Sequence, residues 1–107
     1  MKKFGLFNKL TAIEGKRDNL ANILLEAAKA MEQLDDCDLY VVSLDNESSD
    51  SIYVYEVWTD ENAHQASLSL EVFQTFIHNA KPIIAGMEKI KTLSPVGGKG
   101  ISTISQD

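Results

Sequence analysis

Residues 39–44 (LYVVSL) and 52–58 (IYVYEVW), separated by the polar stretch 45–51 (DNESSDS), decide the fold. Both apolar runs are rich in β-branched and aromatic residues, and the stretch between them is typical of turns, so the pattern predicts a β-hairpin. Side chains alternate between the two faces of a strand. The second run therefore has one face with Ile52, Val54, Glu56 and Trp58, and another with Tyr53, Tyr55 and Val57. Because both faces are largely apolar, we expect helices to cover one and the sheet of a second copy of the chain to cover the other.

A long helix is predicted before the hairpin, over residues 16–34. Its apolar residues recur at spacings of three and four, which places them on one stripe. The stripe consists of Leu20, Leu24, Ala27, Met31 and Leu34. Asp18 and Asn19 near its start are expected to cap free backbone N–H groups. A first strand is predicted over residues 4–13, where bulky residues are frequent until Gly15 breaks the run.

After the hairpin the pattern predicts two helical stretches and a last strand. Asp60 can cap a short helix that runs through Ala66. A second helix is expected from Ser69 to about Ala80, where Pro82 prevents its continuation. Alternation over residues 87–93 predicts the last strand. The order is that of a ferredoxin-like, split β-α-β-β-α-β domain, an α+β fold whose four-stranded antiparallel sheet carries its helices on one face.

Length and composition bound the class of protein. The 107 residues suit one domain, which we place at residues 1–95, with a flexible tail over residues 96–107. Residues 35–71 carry ten acidic and no basic side chains, which argues against nucleic-acid and anionic-membrane partners. No apolar run approaches the length that spans a bilayer, and the start of the chain does not resemble a signal peptide. Together with the single cysteine, Cys37, this predicts a cytoplasmic protein.

Three segments resemble the antibiotic biosynthesis monooxygenase domain family. They are NKLT (8–11) with GK (15–16), YVYEVWTDENAH (53–64) and LSP (93–95). The resemblance implies a dimeric α+β barrel, in which each subunit packs its sheet on the other and keeps a pocket between its own helices and sheet. Some members oxidise phenolic polycycles with molecular oxygen and without metal or flavin. Others in the same superfamily degrade haem or isomerise small signalling metabolites.

The haem-degrading branch is disfavoured by this sequence. Its members are similar in using an Asn on the first strand, a Trp on the helix after the third strand, and a His ten residues later. Asn8 matches the first, but Ser67 and Ile77 stand at the other two positions, and His78 is one residue out of register. One residue along a helix rotates a side chain by about 100°. Many other members carry a His where Ser67 stands.

Six residues are candidates for the site of a cofactor-free oxygenase. Such an enzyme needs a base, a donor for a developing oxyanion and an apolar pocket. We assign catalytic roles to His64 as base, Asn8 as amide donor and Trp58 as an aromatic wall, and place Glu56, Phe73 and Phe76 at the substrate pocket. The alternatives are an exposed helix position for His64, backbone pairing for Asn8, core packing for the three aromatic side chains, and an interface hydrogen bond for Glu56.

The resemblance implies that no cofactor is needed. The sequence also predicts no metal site, because one Cys and two distant His residues lack the ligand spacing of zinc sites. We expect a homodimer that oxidises a small aromatic or quinone-like compound with molecular oxygen. Two alternatives stay open. The pocket could sequester a small hydrophobic molecule without turnover, or it could isomerise a small carbonyl metabolite, which requires a base but no oxygen.

Overall fold

The computed structural model describes residues 3–101, and it confirms the predicted fold class. In chain order its elements are β1 (Phe4–Ala12), α1 (Arg17–Met31), β2 (Cys37–Leu44), β3 (Ser51–Trp58), α2 (Glu61–Ser67), α3 (Glu71–Ala80) and β4 (Ile84–Leu93). A 3-10 turn, Lys81–Ile83, joins α3 to β4. The four strands form one antiparallel sheet in the order β2-β3-β1-β4. This is the strand order of the split β-α-β-β-α-β unit.

Helix α1 covers the inner face of the sheet with the predicted stripe. Leu20, Leu24, Ala27 and Met31 are buried, together with Ala21, which widens the stripe. The helix ends at Met31, three residues before the predicted end. The backbone N–H of Leu34 then closes a turn by donating a hydrogen bond to the Met31 carbonyl. Its N-terminal boundary residue, Lys16, makes no side-chain capping bond. Capping by Asp18 and Asn19 was therefore a wrong expectation, although Asp18 lies in the first turn, where its charge complements the helix dipole.

In the second half of the chain, the helices begin and end close to the predicted residues. The side chain of Asp60 accepts a hydrogen bond from the backbone N–H of Ala63 at 2.7 Å, as expected of a helix cap. Pro82 lies just beyond the end of α3. Strand β4 begins three residues earlier than predicted, because Gly86 does not break it but pairs with Thr11 of β1.

The outer face of the sheet carries an aromatic cluster. The rings of Phe7 and Tyr53 stack with centroids 5.6 Å apart, and Tyr55 meets Phe7 edge-on at 6.3 Å. Val41 and Leu93 of the edge strands are 43% and 42% exposed. We define these five residues as the outer-face patch. No helix of the described chain covers it, since α1 and α3 pack on the other face.

One corner of the outer face is covered by the chain that follows β4. Val57 points to this face yet is fully buried. Its neighbour across the sheet, Gly5, lies so close to Pro95 that a Cβ there would stand 3.2 Å from the proline Cγ. Residues 102–107 of the predicted flexible tail lie outside the described residues, and the domain boundary at residue 95 stays a prediction. None of the helices described between residues 3 and 101 has both the length and the apolar character needed to cross a membrane.

Candidate functional site

A cavity of about 520 Å³ lies between the helices and the inner face of the sheet. Its floor comes from all four strands and its walls from α1 and α3, while α2 closes one end. The floor residues are Leu6, Asn8, Leu10, Tyr40, Val54, Glu56, Ile84 and Met87, and the walls include Ile23, Leu24, Ala27, Phe73, Phe76 and Ile77. Most of this lining is apolar, so the few polar groups determine how a ligand is oriented.

Five of the six residues that the sequence assigned to the site line this cavity: Asn8, Glu56, His64, Phe73 and Phe76. Trp58 does not line it. Its side chain is only 2% exposed and belongs to the core. An aromatic wall made by Trp58 therefore does not fit its position. Its contact with the site is indirect and passes through Glu56 and His64.

Glu56 is a buried carboxyl group at the cavity floor, 8% exposed. The indole N–H of Trp58 donates to its Oε1 at 2.9 Å. Burial raises the pKa of Glu56 above its usual value, and the hydrogen bond from Trp58 opposes that rise only in part. The alternative role expected for Glu56, a hydrogen bond across an interface, does not match this position, because the residue faces the helices and the cavity.

His64 closes the same end of the cavity from helix α2. It is also 8% exposed, against the alternative of an exposed helix position. Its Nε2 lies 3.8 Å from Oε1 of Glu56, a distance of electrostatic contact rather than of a hydrogen bond. The rings of Phe4 and Trp58 pack around it with centroids 5.5 and 5.6 Å away.

The chemistry of His64 follows from this enclosure. Burial lowers the pKa of the imidazole, with the Glu61 carboxylate opposing the change, so the ring is neutral near pH 7. Its Nδ1 is buried and has no hydrogen-bond partner in the described part of the chain. Nε2 makes no hydrogen bond either but keeps accessible surface, so it is the nitrogen that a ligand in the cavity can reach. A neutral imidazole with its proton on Nδ1 has Nε2 as its acceptor. The ring can therefore take a proton.

Asn8 supplies an amide to the floor of the cavity. It lies in the middle of β1, opposite Val54 on one side and Lys89 on the other. Within residues 3–101 its side chain makes no hydrogen bond. Backbone pairing of this side chain, the alternative from sequence, is thus not observed. Its N–H groups are available to an oxygen atom in the cavity.

Tyr40 is a polar cavity residue that the sequence analysis missed. It lies on β2 directly opposite Glu56 of β3. Burial raises the pKa of its phenol, and the nearby Glu56 carboxyl adds to the rise, so the hydroxyl stays protonated. Strand alternation placed Tyr40 on one face of the hairpin with Val42, but only the pairing of the strands identifies that face as the cavity floor.

The positions where relatives carry functional residues have ordinary roles here. Ser67 is buried, and its hydroxyl donates to the backbone carbonyl of His64 at 2.6 Å. It does not line the cavity, whereas Ile77 does. His78 is exposed and outside the cavity, as its register on the helix predicted. Over residues 3–101, no three His, Cys, Asp or Glu side chains cluster in a way that could hold a metal ion.

Comparison with known proteins identifies the family. A model of antibiotic biosynthesis monooxygenases matches residues 4–79, which include the sheet strands β1 to β3 and almost all of the helical layer. The chain belongs to the antibiotic biosynthesis monooxygenase family. The resemblance seen in its sequence motifs is therefore confirmed. A search of curated proteins finds no match.

Solved structures of other proteins share the fold of this family member. A candidate antibiotic biosynthesis monooxygenase from Chloroflexus aurantiacus J-10-fl is 40% identical, with a TM-score of 0.84 over 94% of this chain and 99% of that one. Another candidate member, from Deinococcus radiodurans, is 24% identical, with a TM-score of 0.72 over 94% and 98% of the two chains.

A third structure is a mutant of SnoaB, described as a cofactor-independent oxygenase from Streptomyces nogalater. It is 13% identical, with a TM-score of 0.76 over 91% of this chain and 96% of that one. At that identity the likeness is one of fold. The chemistry of this family member has to be argued from its own cavity.

Proposed function

We propose that this protein is a cofactor-independent monooxygenase that oxidises a small aromatic or quinone-like compound with molecular oxygen. One observation carries the proposal: a neutral imidazole, His64, and the free amide of Asn8 share a largely apolar cavity. A base, a donor and a dry pocket are what such a reaction requires of a protein. The description of SnoaB as a cofactor-independent oxygenase supports the same chemistry on this fold.

The reaction needs no reductant other than the substrate. For an anthrone-like phenol, His64 removes a proton from the reactive CH₂ position. This leaves an electron-rich carbanion whose charge is delocalised onto the carbonyl oxygen of the ring system. The carbanion reduces O₂ and forms a C–O bond, which gives a peroxide at that carbon. Loss of the second hydrogen with cleavage of the O–O bond gives a carbonyl and releases the other oxygen atom as water. The substrate supplies all four electrons, so no external reductant enters.

The other residues of the site contribute to these reaction steps by their positions. Asn8 donates to the ring oxygen as its negative charge develops, which an apolar cavity makes more effective than water does. Phe73 and Phe76, both partly buried on α3, pack against the ring system. Glu56 lies beside Nε2 of His64, where a carboxyl group stabilises the ring after it has taken a proton. Trp58 holds Glu56 and is a positioning residue.

A second function is favoured by a separate observation. Glu56, whose pKa is raised, and His64, whose pKa is lowered, form an acid and a base beside one another. Such a pair can move a proton between two carbons of a carbonyl compound, which is isomerisation and consumes no oxygen. A ligand-binding protein without turnover is the third case. Oxygen consumption distinguishes the first function from both others.

The test is oxygen uptake by metal-stripped protein with a panel of hydroquinones and anthrone-like phenols. We expect uptake above the protein-free rate, and a loss of about 100-fold or more for His64→Ala and His64→Gln, since general bases contribute on that order. The matched control is His78→Ala, because His78 is exposed and outside the cavity. Equal rates for the His64 variants and the wild type would reject the base, and no uptake with any phenol would favour isomerisation or binding.

We further propose that the protein is a cytoplasmic homodimer. The outer-face patch is apolar, aromatic and uncovered by helices, and a two-fold axis would let it pack on itself. The single cysteine, Cys37, has no partner thiol within the chain, which suits a reducing compartment. Each subunit keeps its own cavity on the opposite face of its sheet.

A further inference from the structure

The floor of the cavity presents three polar side chains on three neighbouring strands. Tyr40 on β2 is paired with Glu56 on β3, and Asn8 on β1 lies one pair further along, opposite Val54. With strands about 4.8 Å apart and about 3.4 Å per residue, two strand spacings and a two-residue offset separate the Cα atoms of Tyr40 and Asn8 by about 12 Å. The two hydrogen-bonding residues thus lie on the two strands that flank the strand of Glu56.

The hydroxyl of Tyr40 has no role in holding the fold together. Within the described chain it forms no hydrogen bond, yet it is not among the buried polar atoms that lack a partner, so it keeps contact with open space. Its ring packs on the core cluster and lines the cavity. Such an arrangement directs a neutral donor towards a ligand, because the ring is fixed by packing and the hydroxyl is left unpaired.

A flat ligand between these groups would meet donors at two edges. Phe73 and Phe76 form the wall above the strands, and the floor beside them is apolar at Leu6 and Val54. A planar ring system fits between such surfaces. An oxygen at one edge would accept from Asn8, and only a second oxygen at the opposite edge would use Tyr40. A ligand with one oxygen would leave the phenol unpaired, and unpaired buried polar groups are costly.

We propose that Tyr40 is a specificity residue that binds a second oxygen of the substrate, so that the cavity selects planar ring systems with oxygen functions at two opposite edges. This assignment rests on the proposed function, in that the same cavity holds the aromatic substrate. It concerns recognition and not turnover, and it can therefore be tested by binding alone.

The test is isothermal titration of the full chain with two bicyclic ketones that differ in the number of their oxygens. The first is 2,3-dimethyl-1,4-naphthoquinone, which has two opposed oxygens and no free ring position for the Cys37 thiol to attack. The second is 1-tetralone, with one oxygen. Tyr40→Phe removes only the hydroxyl, and Tyr53→Phe on the outer face is its matched control.

We expect Tyr40→Phe to weaken quinone binding by about 3- to 10-fold, the effect of one hydrogen bond, and to strengthen tetralone binding, because it removes a hydroxyl that bound tetralone leaves unpaired. Asn8→Ala should weaken both ligands, and Tyr53→Phe neither. The assignment is overturned if Tyr40→Phe leaves quinone affinity unchanged, if it weakens both ligands equally, or if the wild type binds neither ligand.

The failure of this assignment and that of the proposed function give different results. Selective loss of quinone binding in Tyr40→Phe, without oxygen uptake by the wild type on any phenol, supports the recognition and rejects the oxygenase. His64-dependent oxygen uptake, with no change in quinone affinity for Tyr40→Phe, supports the oxygenase and rejects the role of Tyr40.

Discussion

Trp58 and Glu56, two residues apart on the same face of β3, are joined by a hydrogen bond of 2.9 Å from the indole N–H to Oε1. The same carboxyl oxygen lies 3.8 Å from Nε2 of His64. Trp58 is in the core and His64 is in the cavity wall, so the Glu56 carboxyl connects a rigid part of the fold to the reacting group. A carboxyl group held by such a hydrogen bond needs no reorganisation during the reaction.

Trp58→Phe tests this connection. The change keeps an aromatic ring in the core but removes the only donor to Glu56 within the described chain. We expect a loss of about 1–3 kcal/mol in the free energy of unfolding, the cost of an unsatisfied buried acceptor. Urea unfolding measures it. In a Glu56→Ala background the same substitution should cost distinctly less, and an equal cost in both backgrounds would show that the ring's packing alone is responsible.

Glu56→Gln separates the charge of the carboxyl from its shape. Because burial raises the pKa of Glu56 in the folded state, the stability it confers is full below the unfolded pKa and is lost as pH rises through the folded pKa. Gln cannot ionise, and its oxygen can still accept from Trp58. We expect the melting temperature of the variant to fall less than that of the wild type between pH 5 and pH 8.

Thermal melts of Glu56→Gln at a series of pH values measure this effect. The exposed Glu26 on α1 provides the matched control, and Glu26→Gln should follow the wild-type curve. Parallel curves for Glu56→Gln and the wild type would contradict an ionisable, buried Glu56.

The pH dependence of the rate reports the state of His64. Burial lowers its pKa, so the neutral imidazole that acts as base persists to a lower pH than that of a free histidine. We expect kcat/KM on a phenolic substrate to fall on the acid side with a midpoint below about 6.5, the usual imidazole value. A midpoint above that value would mean that the Glu56 and Glu61 carboxylates outweigh burial.

The fold was predictable because the pattern of apolar residues is strong at several places at once. The stripe from Leu20 to Met31 is buried as expected, and Asp60 caps α2. Errors fell at the ends of elements. The sequence extended α1 to Leu34 because apolar spacing continues there, but the acidic run that follows and the turn at Met31 end the helix earlier.

The site was harder to predict than the fold, for reasons visible in three residues. His64 lies on a helix of seven residues, which is too short for periodicity to define its buried face. Trp58 shares a strand face with Glu56, and alternation does not say where along that face the cavity ends. Predicting that Tyr40 lines the cavity requires the register between β2 and β3, a long-range property that the sequence of one strand does not contain.

The proposed homodimer predicts a mass of twice the chain in sedimentation equilibrium at micromolar concentration. Val41→Glu puts two charges into the proposed interface, because a two-fold axis repeats every change, and should give the monomer mass. Leu25→Glu is the matched control, since Leu25 is 52% exposed on α1. A monomer mass for the wild type would reject the dimer and leave the cavity of each chain unaffected.

The proposed oxygenase transfers one atom of molecular oxygen to an aromatic substrate, with His64 as base. Turnover of an anthrone-like phenol by metal-stripped protein under ¹⁸O₂, followed by mass spectrometry of the product, tests it most directly. We expect one labelled oxygen in the new carbonyl with the wild type, measured before the carbonyl exchanges with water, and no product above background with His64→Gln. A product whose new oxygen comes from water, or equal labelling by the variant, would contradict it.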